Sequence, residues 1–259
     1  MNKFLEPLII AFSMYSKIPV PTINWNENNM KFTMCYFPLV GIPIGILEIL
    51  WYFISNFMGF GVIFTAVIAT VIPILVTGGI HLDGFCDTID GLSSHQLPEK
   101  KLEILKDPNS GAFAIIGCIT YILVNFAIWS EIVLSLKSIL VIALFYIISR
   151  SASGLSIVTF QMAKNTGLAA SFSDSAKKKN VKITMYIYIT VLSIIDLIIE
   201  YRYSIFCMMF VFLVFIYYKH ISKKEFGGIT GDLAGFFLQL AELSVLFGIL
   251  ISQNIFGVL

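Results

Sequence analysis

The sequence predicts an all-α fold: a polytopic membrane protein of about seven transmembrane helices, preceded by an N-terminal interfacial or re-entrant helix. Three observations predict it. Hydrophobic residues make up 58% of the 259 residues and charged residues only 13%, against about 25% charged in a soluble domain, and mean hydropathy is +0.88. Apolar runs of about 20 residues, the length that crosses a bilayer as a helix, recur along the chain. Lysine is concentrated in alternate loops, as the positive-inside rule requires.

In chain order, residues 1–20 hold Lys3, Glu6 and Lys17 and leave only about 10 uninterrupted apolar positions, too few to span. A helix lying in or dipping into the interface fits better. Pro7 and the polar stretch from Thr22 to Lys31 interrupt any cleavable-signal pattern. The spans follow at Phe32–Phe57, Phe60–Ile80, Gly111–Ser130, Ser138–Phe160, Ile183–Ile199, Ser204–Tyr218 and Asp232–Ile251. Polar insertions at 81–110, 161–182 and 219–231 separate them, and spans five and six are joined by the short turn Glu200-Tyr201-Arg202-Tyr203. No internal repeat or linker divides the chain, so residues 1–259 read as one membrane domain.

Orientation follows from charge. With the N-terminus in the cytoplasm, that side holds Lys3, Lys17, Lys31, Lys100, Lys101, Lys106, Lys164, Lys177, Lys178, Lys179, Lys182, Lys219, Lys223 and Lys224, and the other only Lys137 and Arg202. The net charge of +1 gives no sign of a nucleic-acid partner. Cys35, Cys86, Cys118 and Cys207 are scattered, mostly in apolar runs, and read as small core residues. The oligomeric state is left open, a homo-oligomer included.

The chemistry concentrates in Gly78-Gly79-Ile80-His81-Leu82-Asp83-Gly84-Phe85-Cys86-Asp87-Thr88-Ile89-Asp90-Gly91. Asp83, Asp87 and Asp90 are spaced i, i+4, i+7, which on a helix turning ~100° per residue puts them within roughly 60° on one face. Three like charges repel unless a cation joins them, and an oxygen-only ligand set favours magnesium, manganese or calcium. A solvated acidic face is the plainer alternative. Against it stand the apolar flank upstream and Gly84 and Gly91, which weaken the helix for no evident structural gain. His81 is a candidate ligand or base, though two residues from Asp83 it falls on another face.

Two further loops share this cytoplasmic side. One is basic, with Lys164 before Asn165-Thr166-Gly167-Leu168 and the run Lys177-Lys178-Lys179, which also serves as a positive-inside signal. The other, Gly227-Gly228-Ile229-Thr230-Gly231-Asp232, opens the last span, where free N–H groups at Gly228 and Gly231 can meet an anion. Asp232 either caps that helix or joins a metal or substrate site. The turn Leu105-Lys106-Asp107-Pro108-Asn109-Ser110-Gly111 brings a cation beside the acidic face. Glu48, Arg150, Asp196 and Glu242 sit inside predicted spans, where a charge costs ~2.5–3.5 kcal/mol on insertion scales and calls for a partner or a cavity. Arg150 is expected either to pair with Glu242 or to contact a phosphate; Glu48 and Glu242 fit a structural role equally well; Asp196 reads as interfacial. A metal, anion-binding loops and no evident nucleophilic side chain point to phosphoryl or phosphodiester transfer by direct displacement.

Gly79-Ile80-His81-Leu82-Asp83-Gly84 through Asp87-Thr88-Ile89-Asp90-Gly91-Leu92 closely resembles the signature of the cobalamin synthase family, the adenosylcobinamide-GDP ribazoletransferases. The resemblance runs the length of the chain. It includes Lys17-Ile18-Pro19-Val20-Pro21 (with lysine where arginine is usual), Tyr36-Phe37-Pro38-Leu39-Val40-Gly41, Leu105-Lys106-Asp107, Gly167-Leu168, and Gly228-Ile229-Thr230-Gly231-Asp232 with Gly235 and Glu242. Pro108-Asn109 departs from the usual Ser-Arg, and Lys164 from the usual arginine, losing bidentate geometry. The resemblance implies a magnesium-dependent inner-membrane enzyme with its active site facing the cytoplasm. Its substrates would be adenosylcobinamide-GDP and α-ribazole or α-ribazole 5′-phosphate, and GMP would leave. It implies Asp83, Asp87, Asp90 and Asp232 as metal ligands, and His81 or Asp83 as proton acceptor. Lys106, Lys164 and Arg150 would neutralise phosphate, and Gly228 and Gly231 would contact substrate. Membrane lipid is the remaining partner. Two alternatives are weaker. A CDP-alcohol phosphatidyltransferase shares Asp87-Thr88-Ile89-Asp90-Gly91 but needs Ala-Arg where Leu92-Ser93 stands. An ion or solute transporter needs acids near the midplane in paired broken helices.

Overall fold

A computed structural model describes residues 5–30, 32–163 and 175–257. Among the described residues the structure is all-helical, its only strand-like pairing an isolated parallel bridge between Met162 and Ile229. The all-α expectation holds. Among the described residues five helices are long and apolar enough to cross a membrane, against the seven expected, and a sixth crossing is made only if two helices separated by a 95° bend are counted together.

The first helix, α1 (Leu5–Tyr15), is 11 residues long, about 16 Å and half a bilayer core. Short helices α2 (Glu27–Met30) and α3 (Thr33–Tyr36) and a 3₁₀ turn at Phe37–Val40 lead into α4 (Gly41–Met58). Gly59 ends α4 in the left-handed region (φ 66°). α5 (Val62–Thr77) ends at two consecutive left-handed glycines, Gly78 (φ 66°) and Gly79 (φ 79°). No residue with a Cβ would adopt that pair of dihedrals readily, and the chain swings through 95° into α6 (Ile80–Ser93). The Lys17 N–H donates to Val76 O at 2.8 Å, so the segment after α1 is pinned beside this turn.

α7 (Pro98–Ile104) carries Lys101, which is buried and pairs with Glu225 at 2.5 Å. α8 (Ala112–Glu131) and α9 (Leu136–Thr159) follow, α9 opening with a Ser135/Ser138 capping box. Predicted spans five and six lie in one helical element, α10 (Ser175–Phe226), in which Glu200 alone leaves helical conformation (φ −159°, ψ 93°). The sequence reading separated them because Glu200-Tyr201-Arg202-Tyr203 is polar; the structure keeps both arms and breaks the element at one residue. Glu200 pairs there with Lys137 at 2.8 Å, and the Arg202 guanidinium lies 5.0 Å from the Phe256 ring. The two cations expected outside therefore share one end of the bundle, away from the α5–α6 turn.

α9 and the last helix, α11 (Gly231–Phe256), form the centre: 89% of the most apolar window of α9 is buried, against 11% in 178–226. Ile115, Ile116, Ile119 and Leu123 on α8, and Ile194, Ile198, Phe212, Leu213 and Ile216 on α10, are exposed. Such apolar stripes at helical spacing need hydrocarbon, not water, as their surroundings.

Candidate active site

The site begins where α6 meets α11. A Cβ on Gly84 would stand 2.8 Å from both Cα and O of Asp232, and one on Gly235 would stand 3.0 Å from His81 O. Glycine at both positions lets the two backbones touch. This is the gain that the sequence alone did not supply for Gly84: it brings Asp83 and Asp87 of α6 to Asp232 of α11. Phe85 completes the contact, stacked on Phe236 at 5.5 Å and tilted against Tyr121 at 5.1 Å. Asp83, Asp232 and Asp90 all lie close enough to act on the Asp87 carboxylate. Negative charges so crowded favour uptake of a cation.

The four carboxylates are not equivalent. Asp90 reaches across to the start of α8, accepting the N–H of Gly111 on Oδ2 (2.5 Å) and that of Ala114 on Oδ1 (2.9 Å). It satisfies two of the four N–H groups a helix start leaves unpaired. Asp232 does not cap α11: Thr230 does, its Oγ1 accepting the Leu233 N–H at 3.2 Å. Asp83 is exposed and Asp87 half-buried. Among the described residues no three His, Cys, Asp or Glu side chains form a ready-made metal cage. The donor chemistry nevertheless suits magnesium, which keeps several waters and takes one or two carboxylates together with substrate phosphates.

Two cavities flank Asp83. One, of about 230 Å³, is lined by Tyr15, Met34, Phe37, His81, Ser153 and Leu238, with Asp83, Gly231 and Asp232 at its acidic edge. The other, of about 590 Å³ and more open, is lined by Lys17, Gly78, Gly79, Asp83, Cys86 and Cys118. Asp83 is the one ionisable residue common to both linings. His81, expected on a different face from Asp83, shares the first cavity with it. Lys17 crosses the glycine turn so closely that a Cβ on Gly78 would clash with its side chain.

The remaining predicted residues are dispersed. Lys106 is exposed in the turn after α7 and lines neither cavity. Asp107, in the same turn, is held below the usual carboxylate range by the Asn109 backbone N–H and side chain. Arg150 is fully buried, donating from Nη1 to Glu242 Oε1 and to Tyr146 O, both at 2.8 Å. Glu48, also buried, accepts from the Tyr146 hydroxyl at 3.4 Å. Of the two expectations for Arg150, the structure takes the pair with Glu242. Gly228 sits against Met162 and Ala163 and donates its N–H to Ser222 O at 3.0 Å; Gly231 lines the first cavity. Asp196, read as interfacial, is buried. Lys164 and residues 165–174 of the basic loop lie outside the described residues. Tyr15, Phe37 and Ser153 were not singled out as site residues in the sequence, because they read as ordinary parts of apolar helices.

The family model described as cobalamin-5-phosphate synthase matches residues 7–250. The chain is similar to the adenosylcobinamide-GDP ribazoletransferase of Lachnoclostridium phytofermentans, 46% identical over 253 residues, covering 98% of this chain and 96% of the relative. It is also similar to proteins of the same name from Clostridium perfringens strain SM101 (32% identical, 94% and 97% covered) and Treponema denticola (33% identical, 93% and 96% covered). No solved structure matches it.

Proposed function

The chain belongs to the cobalamin-5-phosphate synthase family, and on that premise we propose that it is an adenosylcobinamide-GDP ribazoletransferase. It moves the adenosylcobinamide-phosphate moiety of adenosylcobinamide-GDP onto a hydroxyl of α-ribazole, or of α-ribazole 5′-phosphate. GMP is released, and the product is adenosylcobalamin or its 5′-phosphate. The observation that carries the mechanism is the close approach of α6 and α11 at Gly84 and Gly235, which brings Asp83 and Asp87 to Asp232, with Asp83 on the lining of both cavities.

Asp83 with Asp87 or Asp232 would hold the magnesium ion together with substrate phosphate, Asp90 being engaged by α8. A magnesium ion bound there would supply charge neutralisation for the diphosphate. The acceptor oxygen forms its bond to the phosphorus that carries the corrinoid, and the bond from that phosphorus to the bridging oxygen of GMP breaks. His81 Nε2, buried and without a protein partner, takes the hydroxyl proton as general base. Lys17 lies in the groove beside Asp83 and meets phosphate charge there. The open groove suits a large, amphipathic corrinoid. The lysine asymmetry puts this end of the bundle on the cytoplasmic face of the cell membrane, and the exposed stripes of α8 and α10 contact lipid.

The test is GMP release from adenosylcobinamide-GDP plus α-ribazole by purified protein in liposomes, with and without magnesium. Metal-dependent GMP release matched by corrinoid product is expected. Folded wild-type protein that releases no GMP would refute the transferase.

A further inference from the structure

The cavity beside Asp83 has a volume of about 230 Å³, just under the usual range of small-molecule sites. Its inner wall is aromatic: the Tyr15 and Phe37 rings lie 4.5 Å apart, and the His81 ring is 6.1 Å from each. Into this apolar space face two buried side chains whose polar atoms have no partner in the protein, Ser153 Oγ and His81 Nε2. A buried hydroxyl left unpaired is destabilising, so the cavity is shaped for a ligand that is flat, mostly apolar and offers few polar positions. The neighbouring groove, with Lys17 and the Gly78-Gly79 turn, has the opposite character.

We infer that the aromatic cavity seats the acceptor nucleoside, with its benzimidazole base against Tyr15, Phe37 and Met34 and its free ring nitrogen accepting a hydrogen bond from Ser153 Oγ, while the Lys17 groove takes the diphosphate donor. This rests on the transferase reading above. The base of α-ribazole has one free ring nitrogen once the other holds the ribose, and Ser153 Oγ matches it. Guanine and adenine, the two bases of the donor, carry donors or acceptors around most of their edges, and an apolar wall would leave them unpaired. With the base inside, the ribose hydroxyls point to His81 and to Asp83, at the boundary with the donor groove.

The experiment is steady-state GMP release by the full chain in liposomes, with separate KM values for α-ribazole and adenosylcobinamide-GDP. The variants are Ser153→Ala, which removes only the hydroxyl, and Phe37→Leu, which removes ring contact while keeping an apolar side chain. Ser153→Ala is expected to raise the α-ribazole KM about tenfold, the equivalent of one lost hydrogen bond, and to leave the donor KM within about twofold. Phe37→Leu is expected to raise the same KM. A rise in the donor KM instead would seat a base of the donor in the cavity; with that result, or with neither KM changed in either variant, the assignment is overturned. Wild-type protein that releases no GMP sinks the transferase reading itself, so the two failures are told apart.

Discussion

Asp83 and Asp90 share one helix and differ in what their carboxylates do. Asp83 faces both cavities, whereas Asp90 holds two N–H groups at the start of α8. Asp83→Asn is therefore expected to lower kcat/KM for GMP release by about 100-fold or more, the upper range for losing even an outer metal partner, with thermal stability unchanged. Asp90→Ala should cost about 1 kcal/mol as a lost helix cap. That cost is readable as a lowered midpoint when the fully buried Cys207 thiol becomes reactive to a maleimide dye on heating. If the two variants exchange these phenotypes, the division of roles is wrong. The i, i+4, i+7 spacing made all three aspartates of α6 legible as one acidic face. It carried no sign that the third is held by a helix start 21 residues further on. Lys17 was visible as a cation and not as part of the groove, because its place depends on a backbone bond to Val76.

At the level of elements, the contact between α6 and α11 decides whether the carboxylates meet. Gly84→Ala would push a methyl to 2.8 Å from the Asp232 backbone. Overpacking of this kind costs about 1–3 kcal/mol, and the helices must separate to relieve it. The expected outcome is folded protein with reduced GMP release and a higher magnesium requirement, measured by titrating magnesium against initial rate. An unchanged magnesium dependence would remove the contact from the mechanism. The helix at 80–93 was legible from periodicity, but its glycines looked like a cost without return. The return of Gly84 is a contact with α11, some 150 residues away, and Gly91 lies against the Phe226 ring of α10. Likewise Thr230 and Asp232 both satisfy the composition of a helix cap, and only the local dihedrals assign the role to Thr230.

For the whole molecule, the central pair α9 and α11 is held by a buried ion pair, Arg150–Glu242. Breaking one side leaves an uncompensated buried charge, at about 3–5 kcal/mol. Glu242→Gln should lower the folded yield in membranes, while Arg150→Met with Glu242→Leu should recover much of it, since a well-packed apolar pair replaces a buried ion pair at little cost. Failure of the double variant to recover would mean that the pair acts beyond packing. The proposed orientation has its own check. A single cysteine at Lys178, in a protein stripped of its native cysteines, should react with an impermeant maleimide in inverted vesicles and not in intact cells.

Hydropathy, charge bias and the 3.6-residue period belong to short windows of chain. From them the sequence by itself determined the membrane class, the all-helical architecture, most helix positions and the acidic motif with its likeness to one enzyme family. Tertiary structure decided which aspartate is free and which is a cap, that Arg150 binds Glu242, that two predicted spans become one helical element broken at Glu200, and that Tyr15, Phe37, His81 and Ser153 enclose one cavity. The physical reason is range. Those outcomes depend on how closely two backbones approach and on what remains unpaired once they do, and residues distant in the chain set both through packing.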